Sequence, residues 1–405
     1  MKILLATYFI SPHVGGVWEF MTQMKRRLEG FGHVVDLFSS GPGHQTYHIS
    51  NANRVLHKEQ IMPLLSAKIN AALYPELAED GWIRHFEFEC LSMEIAAAYF
   101  GLNEYDIIHT QDVFATRAFS RVKPIATPLI ASLHGSAAEE YRLHFIENDE
   151  NLSLSRRWKY HQVLEYLGAS SGDVTVTSSH WLKNKLVKEF AVPSDKVRVF
   201  QYGYDINRFM ERMSVPSGID RIPGKKTIIF TGRLVEIKGV HFLLSALAEL
   251  KSIRQDWHCR IVGSGPEQEK LHHQSLVLGL QHYVSFMGNR TDVPYMLAIS
   301  DIFVCPSILD NQPLSLIEAQ IAGLPAVVND AAGIPEMVEQ GITGFVCPTG
   351  KTTAMVYYLN VLLEDESLRR HMGAQAQRWA IDHWSYDRML QRFLDLYEEL
   401  RGGKK

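Results

Sequence analysis

The chain has 405 residues, too many for one ordinary hydrophobic core and suited to two domains of average size. Apolar residues make up 46% and charged residues 21%, which excludes a disordered chain and fits a soluble globular enzyme or binding protein. The net charge of -4 argues against nucleic acid as the main partner.

The chain begins with MKILLATYFI, where a lysine precedes a short apolar run, but the SPHVGG that follows has no small-residue cleavage pattern. It is read as a first strand and its loop rather than a secretory leader. No apolar run approaches the length of a membrane span, and Cys90, Cys259, Cys305 and Cys347 lack both CxxC and zinc-ligand spacing. A reduced, cytoplasmic setting is expected, with peripheral contact to a membrane surface left open.

Strand-like runs then alternate with helical patterns: residues 3–6, 34–38, 106–109, 129–133, 174–177 and 197–201 in the first half, and 227–230, 259–262, 283–286, 302–305, 326–328 and 344–346 in the second. This alternation predicts an α/β protein of two doubly wound parallel-sheet domains with helices on both faces. Residues 45–100 are less regular, rich in aromatic residues and histidine, with a helix expected over 76–100. They are either an insertion packed on the first domain or a substrate-selecting flap. Residues 211–224 carry two prolines and two glycines without apolar periodicity, and are the best linker candidate. The expected domains are 1–205 and 206–383, with a C-terminal helix over 384–405 completing the first.

Residues 231–239 (TGRLVEIKG) follow a buried strand and precede a helix. In an open α/β sheet that turn lies at a strand's carboxyl end and a helix's amino end, where free N–H groups favour anions. Arg233 and Lys238 add the charge a diphosphate needs; the plainer reading is a solvated Lys and Arg in an ordinary loop. In residues 306–330, Asp310 falls in a loop and Glu318 about a turn inside the helix that starts near Leu314. Carboxylates accept bonds from neighbouring sugar hydroxyls, although a helix-end charge and a solvated face are the plainer alternatives. Gly263, Gly265 and Pro266 form GSGP after a strand, but Gln268 stands where a dinucleotide fingerprint needs its third glycine, so a nicotinamide enzyme is disfavoured. Gly15 and Gly16 allow close backbone approach to a ligand, or simply a tight turn. His134, His109 and Asp112 lie at strand ends; for the last two an ordinary loop role is an equal reading.

Ordered matches run end to end: PHVGGVWEF (12–20), YDIIHTQD (105–112), SLHG (132–135), VTVTSSHWLKNKL (174–186), VRVFQYGYDINRF (197–209), TGRLVEIKG (231–239), IVGSGPEQEKL (261–271), FMGNR (286–290), DIFVCPS (301–307), the block from Asp310 to Glu318, AGIPEMV (332–338) and HWSYDRMLQRFLDLYEEL (383–400). Together they resemble a family 4 retaining glycosyltransferase of the GT-B fold. The resemblance implies two Rossmann-like domains facing a cleft, with the last helix crossing back to the first domain.

The resemblance also implies roles. Arg233 and Lys238 hold the donor diphosphate and stabilise the departing nucleoside diphosphate, Glu318 binds the ribose hydroxyls, and Asp310 faces the donor sugar, flanked by Asn311, Pro313 and Leu314. His134 contacts that sugar near the reacting carbon and is not a clear general base. Gly263 and Arg290 line the base pocket, and Glu336 supports the loop beneath the donor. The commoner pattern has two glutamates, so Asp310, one methylene shorter, leaves the donor sugar open. No DxD motif stands near either cleft strand, so two cations and helix-end amides are expected to replace a metal, with no cofactor beyond the nucleotide sugar. The implied reaction moves a hexose-type sugar with retention, a UDP-sugar being the leading expectation. The acceptor hydroxyl is open among a cell-surface polysaccharide, a glycolipid intermediate and a small metabolite. The rivals are a nucleotide-sugar epimerase or phosphorylase of the same fold, and a catalytically silent sugar-binding scaffold.

Overall fold

Two open sheets organise the chain in the computed structural model, which describes residues 1–12, 16–50, 54–70, 72–75, 79–146 and 155–403. The chain divides into one unit of Met1–Phe200 with Leu390–Lys405 and a second of Gln201–Met389. The stretch 211–224, expected as a linker, lies inside the second unit, because Arg212 donates to the Thr291 carbonyl and Arg221 pairs with Asp301 at 3.0 Å.

The first unit runs β1 (Lys2–Ile10), α1 (Gly16–Gly30), β2 (Val34–Ser40), β3 (Thr46–Ile49), β4 (Arg54–His57), α2 (Lys58–Lys68), α3 (Gly81–Phe100), β5 (Ile107–Thr110), α4 (Val113–Val122), β6 (Leu129–Leu133), α5 (Ala137–Ile146), α6 (Arg156–Ser170), β7 (Val174–Thr177), α7 (His180–Lys188) and β8 (Val197–Val199). Its sheet has the order β4-β3-β2-β1-β5-β6-β7-β8. Every residue of β5, β6 and β7 is buried, as expected of parallel strands covered on both faces. The strand-like runs did not include β3 and β4, which pair antiparallel at the sheet edge. These four-residue strands alternate buried and accessible positions, a weaker signal than a continuous apolar run. The described residues of 45–100 form an integral layer of this unit: Tyr47, Ile49, Leu56, Ile61, Leu65, Met93 and Phe100 share a core with Leu4 and Phe38.

The second unit runs α8 (Ile206–Met213), β9 (Lys226–Thr231), α9 (Val240–Ile253), β10 (Trp257–Val262), α10 (Gln268–Val277), β11 (Val284–Gly288), α11 (Val293–Ala298), β12 (Ile302–Cys305), α12 (Leu314–Ile321), β13 (Ala326–Asn329), β14 (Gly344–Cys347), α13 (Thr352–Glu364) and α14 (Glu366–His383). The all-parallel order is β11-β10-β9-β12-β13-β14. Alternate residues of β9 feed two cores, Ile228 and Phe230 packing with Leu243 and Leu247, and Ile229 with Phe303 and Ile317. The strand order reverses between β9 and β12, and that switch point is where an open α/β sheet leaves a crevice.

The last helix, α15 (Tyr386–Gly402), belongs from Leu390 onward to the first unit. There the ring of Phe393 lies edge-on to Phe200, with centroids 5.2 Å apart, and the Tyr397 hydroxyl bonds His109 Nδ1 at 2.7 Å. Among the described residues no helix is long and apolar enough to cross a membrane. All four cysteines are free and buried.

Candidate functional site

The loops leaving β9 and β12 lie side by side at the switch point of the second sheet. After β9, Leu234 is buried and its N–H donates to the Ser264 carbonyl, which anchors the turn that carries Arg233. A short 3-10 turn over Glu236–Lys238 then ends at Gly239 with φ 64, a conformation that favours glycine. A Cβ at Gly239 would collide with the Pro306 carbonyl oxygen, so the bare backbone is what lets the two loops touch. Ile308 N–H closes the contact by donating to the Ile237 carbonyl at 2.8 Å. Asn329, at the end of β13, donates to the Pro306 carbonyl at 2.7 Å and fixes the second loop from its far side.

This packing brings together two residues chosen independently from the sequence. The Lys238 ammonium forms a part-buried ion pair with the Asp310 carboxylate. The Asp310 carbonyl accepts from Gly333 N–H at 3.1 Å, which ties in the loop bearing Glu336, a part-buried side chain. Arg233 is exposed and has no ion pair among the described residues. The amino end of α9 has no side-chain cap. Arg233 and the ion-paired Lys238 thus share the loop that leads into a helix amino terminus, an arrangement suited to a polyanion.

Asn311 and Pro313 are buried, Leu314 opens α12, and Glu318 stands one turn into that helix. Two residues that sequence reasoning missed hold this block. Gln312 accepts from Tyr202 N–H at 2.9 Å through Oε1, and its buried Nε2 has no partner among the described residues. Tyr204 donates its hydroxyl to Glu318 Oε1 at 2.5 Å. Nothing in the string QYGYD marks either tyrosine, because their partners lie more than a hundred positions away.

Gly263, with φ 133, ends β10 against Gly232, where a Cβ would meet the Gly232 carbonyl oxygen. The Arg290 guanidinium forks onto Asp292 at 2.8 and 2.6 Å. That bond raises the arginine's pKa and holds the Asp292 carboxyl below the usual range.

In the first unit, Gly16 opens α1, and Gly15 lies outside the described residues. His134 follows β6, with Nε2 3.0 Å from Gln111 Oε1 and its ring edge-on to Phe20. Burial pushes its pKa down to about 4, so it is a neutral imidazole at pH 7. His109 lies within β5, and Asp112 lies in the short turn that follows it. His109 is buried between Tyr397 and the Ser132 hydroxyl, each at 2.7 Å. Burial pushes it down to about 3. Asp112 caps α4, accepting from Ala115 N–H at 2.7 Å and the Thr7 hydroxyl at 2.8 Å.

Two family patterns match the chain: Glycosyl transferases group 1 over residues 217–379, and Glycosyltransferase Family 4 over residues 14–208. An uncharacterized glycosyltransferase of Methanocaldococcus jannaschii is 24% identical over 98% of both chains. A GDP-mannose-dependent alpha-(1-6)-phosphatidylinositol monomannoside mannosyltransferase of Mycolicibacterium smegmatis is 28% identical over 58% of this chain and 65% of its own length. Among solved structures, Anabaena HepE in complex with UDP-glucose superposes with a TM-score of 0.70 at 20% identity, over 98% of this chain and 100% of that one.

Proposed function

The chain belongs to the group 1, family 4 glycosyltransferases, and from that premise we propose that it moves a hexose-type sugar, with retention, from a nucleoside diphosphate sugar to an acceptor hydroxyl. The observation that carries this reading is the contact between Lys238 and Asp310 where the loops after β9 and β12 meet. A cation for the diphosphate and a carboxylate for the sugar's hydroxyls stand together at the point where this class of sheet binds ligands. Arg233 adds a second cation on the same loop.

In this mechanism the bond from the sugar's C1 to the phosphate oxygen breaks, and the acceptor oxygen bonds to C1 on the same face. The acceptor's proton passes to the departing phosphate oxygen, and a nucleoside diphosphate leaves. Lys238 and Arg233 stabilise the charge that develops on that diphosphate, without a metal or cofactor. His134, neutral at pH 7, contributes contact rather than a proton.

A UDP-sugar is the first donor to try, since HepE carries UDP-glucose, and a GDP-sugar the second, since the mycobacterial relative is named for GDP-mannose. Thermal-shift titration with UDP-, GDP-, ADP- and dTDP-sugars ranks them, because a bound donor raises apparent stability by mass action. Incubation of the best donor with an acceptor panel is expected to give a glycoside of unchanged anomeric configuration by NMR. Inversion, or isomerised donor formed without any acceptor, overturns the reading.

A further inference from the structure

Glu318 projects from α12, and its carboxylate is met from another element by the hydroxyl of Tyr204, at 2.5 Å on Oε1. Tyr204 is itself held through its backbone and its ring. Its N–H donates to the Trp384 carbonyl at 2.8 Å, its backbone bridges to Ser385, and its ring stands edge-on to Phe209 with centroids 5.6 Å apart. Two positions earlier, Tyr202 N–H bonds Gln312, two residues from Asp310. The short segment 202–204 therefore supports both ends of the block that carries Asp310 and Glu318.

We propose that Tyr204 is a positioning residue for nucleotide recognition: its hydroxyl orients the Glu318 carboxylate to accept both the 2′- and the 3′-hydroxyl of the ribose. This rests on the reading of Glu318 as the ribose-binding carboxylate. The physical reason lies in the side chain. The terminal torsion of a glutamate is broad, so an untethered carboxylate loses rotational freedom when it takes up a pair of adjacent hydroxyls. A rigidly held tyrosine fixes that torsion beforehand. Each carboxylate oxygen offers two acceptor positions, so Oε1 accepts from Tyr204 and from a ribose hydroxyl together. Such a site discriminates strongly against an analogue that lacks one of the hydroxyls.

Calorimetric titration of the full chain with UDP and GDP, each beside its 2′-deoxy counterpart, tests this. The wild type is expected to bind the preferred ribonucleotide at least about tenfold more tightly than its deoxy form. Tyr204→Phe keeps the ring on Phe209 and is expected to weaken the ribonucleotide by about tenfold, the usual scale for a lost bond to a charged group. The deoxy nucleotide, which keeps only the 3′-hydroxyl, should lose less, so the ratio falls toward one, while donor KM rises and kcat stays within about twofold of the wild type. Glu318→Gln separates the two levels of the inference. If Glu318→Gln binds the ribonucleotide as tightly as the wild type, the ribose reading of Glu318 is wrong. If Glu318→Gln weakens binding but Tyr204→Phe keeps the wild-type ratio, that reading stands and the Tyr204 proposal is overturned. Equal weakening of both nucleotides by Tyr204→Phe also overturns it, because a purely structural role would act without regard to the 2′-hydroxyl.

Discussion

Lys238 and Asp310 each looked useful in the sequence for a different reason, a cation at a strand end and a carboxylate before a helix. Their pairing across 72 positions joins the two signals into one proposed site. Lys238→Ala is expected to lower kcat/KM by about 10²–10³-fold, the scale of losing one preorganised group that stabilises developing charge. Since the diphosphate's charge falls to side chains in this proposal, excess EDTA should leave turnover unchanged in the same assay. Glu165 is buried on α6, with Oε2 accepting from Ala138 N–H at 3.0 Å. Burial pushes its carboxyl up from 4.5 to about 7. A carboxyl raised in the folded state contributes stability in full below 4.5 and loses it as pH rises through 7. Glu165→Gln should therefore melt higher than the wild type at pH 8, with the gap closing at pH 5. Tyr204, by contrast, is invisible in the sequence, because a tyrosine in QYGYD carries no sign of a carboxylate 114 positions away.

At the scale of elements, the strand runs and the helices after the switch-point loops were legible, since hydrophobic periodicity is a local property of the chain. The fully buried strand β6 appears as a nearly continuous apolar run, β5 as a short apolar start, and β7 as an alternation of the β-branched valine and threonine. The strands β3 and β4 do not, being short, half-exposed and interrupted by histidine and arginine. The turn into α9 illustrates how one residue joins two elements. Gly239→Val would place a branched side chain at φ 64 and against the Pro306 carbonyl. Urea unfolding is expected to show a loss of about 2–4 kcal/mol. Donor titration should show weaker binding as well, since the same displacement moves Lys238 away from Asp310. Unchanged donor affinity in a destabilised variant would separate the loop contact from the site.

Taken as a whole, the molecule contains buried histidines that stay neutral when folded. Burial holds His109 near 3 and His134 and His161 near 4 in the first unit, and His258 near 4 in the second. Each takes up a proton near 6.5 only on unfolding, so stability is lost progressively as pH falls from about 6.5 toward 4. Calorimetry should show a melting temperature that drops between pH 7 and pH 5. Limited proteolysis at pH 5 should cut the first unit before the second, because three of these four groups lie there. The fold class, most strands and the loops that carry Lys238 and Asp310 are legible in the amino-acid string, because periodicity, glycine and strand-end position are written within a few residues. The long-range partners come from the folding: Lys238 with Asp310, Glu318 with Tyr204, and His109 with Tyr397 at a separation of 288 positions. Such a side chain's partner is chosen by how the sheet's strand order folds distant loops together, and local patterning does not encode that order.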